Sequence, residues 1–364
     1  MKSGYIHNQM VKGVQSNMLN SVLAICVSLL ISLCITPMFT YIAKKKKVID
    51  IPSARKEHSE PTALLGGVAI YFATIISITL FSRSSSGYLI PVLIVGATGV
   101  AVMGLIDDIL SLSAKRRVII LFIIAVIVYI ICFVFYLDTQ RLIERSPLII
   151  TVFSLFIIIW IVGITNAINF SDGLDGLASY LSIVSVMSFA IIFAYQGRDA
   201  LALPLSLALV GAIAGFIPYN RNPAMIFMGD AGSMFIGFML SLLSISSIRH
   251  EVSLFAMVVP VYILFVPILD MCMSILRRIV LKKSIMKPDK MHFHHQLNKH
   301  FSNHILVVII LAFAQVVFCT AGIMIFIYKL FIMGWIILGS ITLIAAIYTI
   351  VTSLKHRKQE VIKS

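Results

Sequence analysis

The sequence predicts an all-α membrane protein that crosses a lipid bilayer many times, and composition and hydropathy both indicate this class. Hydrophobic residues make up 60% of the 364-residue chain and charged residues only 12%, whereas an ordinary soluble domain carries about 25% charged residues. Eleven apolar runs approach or exceed the roughly 20 residues that a helix needs to cross the hydrocarbon core. Because unpaired backbone amides are costly in hydrocarbon, these runs should be helical.

The apolar runs leave room for a single membrane domain with two short ends. The first run is too long for the apolar core of a signal peptide and lacks a small-residue cleavage site, so it should be retained as a span. We expect an extracytoplasmic N-terminal segment at 1–17, a membrane domain at 18–354 and a cytoplasmic basic tail at 355–364. Ten or eleven spans are predicted, from runs at 18–43, 64–81, 88–106, 118–137, 148–165, 177–195, 201–217, 233–248, 254–276, 305–328 and 331–354.

The positive charges predict how the chain is oriented. It carries 29 Lys and Arg against 15 Asp and Glu, and most of the basic residues fall in the odd-numbered loops, at the end of the ninth run and in the tail. Since cytoplasmic loops are enriched in Lys and Arg, the N-terminus should lie outside and the C-terminus inside. The basic excess is then mainly a topology signal, and no nucleic acid partner is predicted.

Adjacent carboxylates end the third run. Asp107 and Asp108 repel one another, and both stay ionised beside hydrocarbon more easily with a metal ion or a cationic side chain nearby. A solvated pair that ends a helix is the alternative.

A second polar cluster follows the fifth run. Asn169, Asp172 and Asp175 lie there between apolar stretches, and the two carboxylates would share one face of a helix. Gly173 and Gly176 would let a ligand approach the backbone closely. The alternative is a polar turn that caps the next span.

The loop after the seventh run contains Asn220, Phe227 and Asp230. Asp230 lies between two glycines where a helix begins, so it could be an N-cap. The same geometry also suits a phosphate with its Mg²⁺. Phe227 could pack in the core or stack on a base.

Asp270 lies within the ninth run, and an intramembrane carboxylate is either functional or paired with a neighbouring cation. Beyond it, His292, His294 and His295 belong to a histidine-rich segment. Histidines here could bind phosphate, transfer protons, hold a catalytic zinc or simply be solvated. All these clusters fall on the predicted cytoplasmic side, which indicates one site for a phosphorylated soluble substrate and a phosphorylated lipid.

These motifs resemble, in order, those of the polyprenyl-phosphate N-acetylhexosamine-1-phosphate transferases, of glycosyltransferase family 4 type. Residues 107–108 match the DD motif, 169–177 match NxxDGxDGL, 229–233 match GDxGS and 292–297 match HxHHxL. The resemblance extends from about residue 50 to residue 297. Two positions depart from the family pattern: Ala63 replaces a Pro that the family often has, and Gln296 replaces a frequent Arg.

The resemblance implies a reaction and its participants. The donor would be a UDP-sugar, UDP-N-acetylglucosamine by preference, and the acceptor undecaprenyl phosphate in the bacterial plasma membrane, with Mg²⁺ or Mn²⁺ as cofactor and UMP released at the cytoplasmic face. HxHHxL and eleven spans favour the branch that initiates teichoic acid, O-antigen and related polymers. The runner-up is the peptidoglycan branch, phospho-N-acetylmuramoyl-pentapeptide transferase, which usually has ten spans and three consecutive histidines.

The resemblance also implies a role for each residue. Asp230 would be catalytic as the main metal ligand, and Asn169 would be a second metal ligand or a substrate contact. Asp107 or Asp108 would act as base or orient the lipid phosphate. The remaining predicted contacts are with substrate: Arg55 and Lys56 with phosphates, Asp172, Asp175, Asn220 and Phe227 with the donor, and His292, His294 (also a catalytic candidate) and His295 with the diphosphate.

Two other classes stay open at this stage. A transporter or lipid flippase should have polar residues at several membrane depths and broken spans near the midplane, whereas only Asp270 is clearly intramembrane here. A metal-dependent membrane hydrolase is the other alternative. The gathering of polar residues at one face favours the transferase.

Overall fold

The computed structural model describes residues 2–51, 61–81, 89–135, 147–197, 201–248, 254–284 and 292–363. Within these ranges the chain is almost entirely helical. The helices are α1 (Lys2–Lys46), α2 (Gly66–Phe81), α3 (Leu89–Leu110), α4 (Ala114–Phe135), α5 (Pro147–Ser171), α6 (Leu177–Gln196), α7 (Ala202–Asn220), α8 (Gly229–Ser247), α9 (Val258–Ile263), α10 (Phe265–Val280), α11 (Phe293–Phe301), α12 (His304–Ile327) and α13 (Phe331–Lys363), with a 3₁₀ turn at Leu254–Met257.

Eight of the described helices are long and apolar enough to cross a membrane, and a ninth span results if α9 and α10 form one bent unit. Of the other predicted runs, one corresponds to α2, a shorter apolar helix of 16 residues, and one to α4. The prediction of an all-α polytopic membrane protein is therefore confirmed, while the count of eleven spans and the orientation of the termini stay predictions. Helices α1 and α13 extend through most of the two segments expected at 1–17 and 355–364.

Helix α8 lies at the centre of the bundle. Helices α2, α3, α5 and α6 all pack against it, and 78% of its most apolar window is buried, against 11% for α13. Glycines allow this close packing: a Cβ atom on Gly67 would lie 2.0 Å from the backbone nitrogen of Gly232, and one on Gly104 would lie 2.4 Å from the carbonyl oxygen of Asp230. The start of α8 is thus held directly against α2 and α3.

The ninth predicted run is broken in the structure. Helices α9 and α10 meet at an angle of 91°. Pro267 has no N–H to donate to the carbonyl oxygen of Ile263 one turn earlier, so the helical ladder is interrupted there. That oxygen instead accepts hydrogen bonds from Ser185 Oγ at 2.9 Å and from Gln315 Nε2. Side chains of α6 and α12 therefore stabilise a break that hydropathy alone does not reveal.

A short hairpin lies beside the start of α2. Strands β1 (Ile49–Asp50) and β2 (Thr62–Ala63) pair antiparallel, and Ala63 also bridges to Ile226. The backbone nitrogen of Phe227 donates to the carbonyl oxygen of Ala63 at 2.8 Å. Arg55 and Lys56 belong to the segment between the two strands and lie outside the described residues. The two strands therefore join the segment that follows α1 to the segment that precedes α8.

Candidate active site

The carboxylate of Asp108 caps the start of α8. Its Oδ1 accepts a hydrogen bond from the backbone nitrogen of Asp230 at 2.8 Å, and its Oδ2 accepts one from Ala231 at 3.0 Å. Gly229 has a φ of +69°, a backbone conformation that glycine adopts without strain. The N-terminal amides that could attract a phosphate are thus already paired with a carboxylate of α3.

Asp107 faces a different partner. This residue is 5% exposed, and its Oδ1 accepts from the backbone nitrogen of Leu112 at 2.7 Å. Its Oδ2 lies 2.8 Å from Nη1 of Arg117, and the same nitrogen lies 3.2 Å from Oδ2 of Asp230. Arg117 therefore joins the DD motif to the GDxGS motif. Its place at the site was not predicted, because it stands in a run of basic residues that is typical of a cytoplasmic loop.

Asn169 lies on the other side of Asp230. Its Nδ2 donates to Oδ1 of Asp230 and, at 2.9 Å, to Oγ of Ser233. The Ser233 hydroxyl in turn donates to the carbonyl oxygen of Gly229 at 2.9 Å. The end of α5 and the first turn of α8 are thus joined through side chains of two predicted motifs. Ser233 is thus a further residue of the site, and in the sequence it was noted only as the last residue of the GDxGS motif.

Asp172 follows α5 and is half-buried. Burial, together with the negative charges of Asp230 and Asp175, raises the pKa of Asp172 to about 7. Burial is the larger cause of this shift, and the two neighbouring carboxylates add to it. The carboxylates at this end of α5 would therefore favour a bound cation.

The shifted pKa of Asp172 predicts a pH effect on the metal-free protein. The folded protein keeps a proton on Asp172 up to about pH 7, while the unfolded chain releases it near pH 4. Raising the pH from 4 to 7 therefore favours unfolding. In EDTA, Tm of Asp172→Asn minus Tm of the natural protein should increase between pH 5 and pH 8. A difference that does not vary with pH would contradict this.

Asp175 fixes the loop that follows α7. Its Oδ2 accepts from Nδ2 of Asn222 at 3.0 Å and from the backbone nitrogen of Ala224 at 3.1 Å. Its own backbone nitrogen donates to Nε2 of His304 at 3.0 Å. Asp175, which we predicted to contact the sugar donor, thus also connects the NxxDGxDGL motif to α12 and to the segment before GDxGS.

Asn220 and Phe227 take different positions. Asn220 is 2% exposed, accepts from Oγ of Ser179 at 2.8 Å and donates to the carbonyl oxygen of Ile226 at 3.1 Å. Both ends of its amide therefore contact the protein. Phe227 is half-buried, and its carbonyl oxygen accepts from the backbone nitrogen of Gly66 at 3.1 Å. Of the two, the Phe227 side chain is the one with surface left for a ligand.

The histidine motif lies against the end of α5. The ring of His292 is 5.4 Å from that of Phe170 and 6.5 Å from that of His295, measured between centroids. His292 is 7% exposed, and its Nδ1 lies 3.4 Å from Oδ2 of Asp270. Asp270, which the sequence placed inside a span, thus has a histidine beside it. The side chain of His294 lies outside the described part of the structure.

Successive residues of α5 connect the two halves of the site. Asn169 contacts Asp230, and the next residue, Phe170, packs against His292. The structure therefore brings the DD, NxxDGxDGL, GDxGS and HxHHxL motifs together where several helices end. Within the ranges that the structure describes, no three His, Cys, Asp or Glu side chains gather closely enough to hold a metal ion by themselves.

Comparison with known families matches the part of the chain that carries three of these motifs. A family model described as glycosyl transferase family 4 matches residues 90–248, which include Asp107, Asn169 and Asp230. The helical fold and the motif cluster thus define an integral membrane protein of the glycosyl transferase class.

Individual relatives narrow the class. A probable undecaprenyl-phosphate N-acetylglucosaminyl 1-phosphate transferase of Bacillus subtilis is 36% identical over 85% of this chain and 86% of its own length. A decaprenyl-phosphate N-acetylglucosaminephosphotransferase of Mycobacterium leprae is 31% identical over 76% of each chain. The undecaprenyl-phosphate alpha-N-acetylglucosaminyl 1-phosphate transferase of Thermotoga maritima is 27% identical over 78% of this chain and 84% of its own. The chain belongs to this family of polyprenyl-phosphate N-acetylglucosamine-1-phosphate transferases.

Family membership confirms two predictions. The resemblance on the four motifs is correct, and the protein is an enzyme of the polyprenyl-phosphate glycosyl-1-phosphate transferase kind. The broken span at α9 and α10, a feature that we expected of a transporter, therefore occurs here in a member of an enzyme family.

Proposed function

We propose that this enzyme transfers N-acetylglucosamine-1-phosphate from UDP-N-acetylglucosamine to undecaprenyl phosphate with Mg²⁺ and releases UMP. The reaction would take place at the cytoplasmic face of a bacterial plasma membrane and initiate a cell-envelope polymer of the teichoic acid or O-antigen type. The observation that carries the proposal is the contact of Asp230 with the DD and NxxDGxDGL motifs through Arg117 and Asn169. The names of the relatives support the sugar and the lipid class.

The chemistry explains why such a cluster is needed. An oxygen of the acceptor phosphate forms a bond to the sugar-linked phosphorus of the donor, and the bond from that phosphorus to the oxygen of departing UMP breaks. Both reactants are anions, so the site must reduce their repulsion and align the attacking and leaving oxygens. A phosphate monoester is already largely ionised at pH 7, since its second pKa is about 6. Positioning and charge are therefore more important here than a general base.

The residues around Asp230 fit a magnesium ion. Mg²⁺ usually keeps several waters and takes only one or two carboxylates from a protein. The Asp230 side chain is 28% exposed, and the carboxylate of Asp172 lies close enough to interact with it electrostatically. Asn169 would supply Oδ1 after its amide turns, since Nδ2 now faces Asp230. When bound, the ion would neutralise charge on the diphosphate and on departing UMP; Mn²⁺ has similar ligand preferences.

The two carboxylates of the DD motif would then have different tasks. Asp108 holds the backbone of Asp230 through two amide hydrogen bonds, so it would position the metal ligand. Asp107 holds Arg117, whose guanidinium could turn from the carboxylates to a phosphate of either substrate. Phe227 could stack on the uracil, and the histidine motif would meet the diphosphate from the α5 side.

Arg117 provides a test of the metal site. Its Nη1 contacts the same Asp230 carboxylate that would bind Mg²⁺, so removing its charge should favour the ion while it slows transfer. Arg117→Gln should bind Mg²⁺ about threefold to tenfold more tightly, because an ion pair of this kind contributes about 1 kcal/mol. The increase in Tm on Mg²⁺ titration measures this. The exposed neighbour Arg116 supplies the matched control, Arg116→Gln, and weaker Mg²⁺ binding by Arg117→Gln would contradict the assignment.

The donor is tested directly with purified protein in detergent. Undecaprenyl phosphate and Mg²⁺ are incubated with a panel of UDP-sugars, and the lipid product is identified by mass spectrometry, with EDTA as the control. We expect product from UDP-N-acetylglucosamine and none in EDTA. Product only from UDP-N-acetylmuramoyl-pentapeptide would move the protein to the peptidoglycan branch, and product with any donor in EDTA would contradict the metal requirement.

A further inference from the structure

Asp270 is a charged side chain in a largely apolar part of the bundle. It lies on the buried face of α10, is 6% exposed, and borders a small cavity lined by Leu177, Leu181 and Leu311. Ionised carboxylates in such surroundings are costly unless hydrogen-bond donors or positive charges compensate them. The groups that compensate Asp270 therefore indicate what it does.

Two of those groups belong to the histidine motif. Oδ1 of Asp270 accepts a hydrogen bond from the backbone nitrogen of Phe293 at 2.6 Å, and Oδ2 lies 3.4 Å from Nδ1 of His292. Phe293 is the first residue of α11, so its N–H is one of the amides that a helix leaves without an internal partner. The preceding residue, His292, makes no side-chain cap. Asp270, a residue of α10, thus acts as the N-terminal cap of α11.

The bend between α9 and α10 is what brings this carboxylate to the motif. Asp270 lies six residues beyond Leu264, where the helix turns by 91°. In a continuous helix, the residues beyond Leu264 would continue along the axis of α9. The polar contacts of Ile263 with α6 and α12 therefore also fix where Asp270 meets α11.

We propose that Asp270 is a positioning residue that fixes both the start of α11 and the ring of His292 beside Phe170. This inference rests on the proposed function for the role of the histidines, but the contact itself is independent of the substrate. A carboxylate opposite Nδ1 favours the tautomer with the proton on Nδ1 and leaves the Nε2 lone pair for another partner. Asp270 therefore acts on substrate only through His292 and the helix that follows it.

Two substitutions separate the cap from the charge. Asp270→Asn keeps an oxygen for the Phe293 amide but presents a neutral amide to His292, whereas Asp270→Ala removes both. Exposed Cys272 on the same helix supplies the control, Cys272→Ala. Hydrogen exchange of the segment 292–301, followed by mass spectrometry on the full-length protein in detergent, should be unchanged in Asp270→Asn and at least about tenfold faster in Asp270→Ala. Hydrogen exchange in α8 should stay unchanged in both variants. A general loss of stability would instead accelerate exchange in α8 as well.

Activity provides the second readout. Both Asp270 variants should lower kcat by about 10-fold to 100-fold, as expected when the partner of a functional histidine is lost. The double variant Asp270→Asn with His292→Gln should be no slower than His292→Gln alone, since Asp270 acts through that ring. Losses that multiply in the double variant, or natural exchange rates in Asp270→Ala, would overturn the proposal. Because hydrogen exchange requires no substrate, its result stands apart from any failure of the proposed reaction.

Discussion

Asp230→Asn should lower kcat for sugar-phosphate transfer by about 10³-fold or more. The side chain of Asp230 is 28% exposed and meets Arg117 on one side and Asn169 on the other. Asn has the same shape, but it lacks the negative charge that would hold Mg²⁺. Loss of that ion removes several kcal/mol of charge stabilisation in the transition state, and each 1.36 kcal/mol corresponds to a factor of ten. The rate is measured with saturating donor and Mg²⁺.

A matched substitution controls for the loss of a negative charge. Asp199→Asn changes an aspartate in the loop after the sixth predicted span, which the charge pattern assigns to the opposite membrane face, and it should leave kcat unchanged. Tm of Asp230→Asn in EDTA should fall only slightly, because the Asn oxygen can still accept a hydrogen bond from one of its two donors, Arg117 or Asn169, and the lost ion pair contributes about 1 kcal/mol. An Asp230→Asn enzyme that keeps a tenth or more of the natural kcat would contradict the central place of this carboxylate.

Asp108→Ala should have the second large effect, a loss of both thermal stability and activity. Asp108 accepts from the backbone amides of Asp230 and Ala231, and each amide left without a partner in the packed start of α8 costs about 1–3 kcal/mol. Tm should fall clearly. Movement of the first turn of α8 by about 1 Å would also displace Asp230, and a displacement of that size costs on the order of 100-fold in rate.

Asp108→Asn distinguishes this positioning role from a role as a base. Asn keeps one oxygen acceptor, so one of the two amides stays paired and the loss of Tm should be smaller than for Asp108→Ala. If Asp108 served mainly as a base, both variants would lose the same activity, although their Tm values would still differ. Thermal unfolding in detergent and kcat, measured on the same preparations, separate the two results.

Hydropathy predicted the class of fold because the membrane leaves a chain few choices. Each long apolar run in a bilayer must satisfy its own backbone, so a helix follows from composition alone. The break at Leu264 does not follow in this way. The run at 254–276 is apolar on both sides of Leu264. The groups that donate to the freed carbonyl oxygen, Ser185 and Gln315, lie far away in sequence. Pro267 was the local signal, but Pro can also sit within a continuous helix, as Pro37 does in α1.

The sequence predicted which residues form the candidate site better than it predicted how they contact one another. Charge counting placed the motifs on one face, and the structure joins Asp108, Asn169 and Asp230 directly. The pairing of Asp108 with backbone amides could not be read from two adjacent carboxylates, which fit a base, a ligand or a cap equally well. Arg117 was hidden in a basic run, because a residue that neutralises carboxylates has the same sequence signature as one that orients the membrane domain.

The most direct test of the account follows the phosphorus that is transferred. UDP-N-acetylglucosamine carrying ³²P at its sugar-linked phosphate is incubated with the enzyme, undecaprenyl phosphate and Mg²⁺, and lipid and nucleotide products are separated. We predict that the label moves into the lipid product and that unlabelled UMP appears in equal amount. A lipid-linked sugar without label, accompanied by labelled UDP, would show that the sugar alone is transferred and would contradict the proposed reaction.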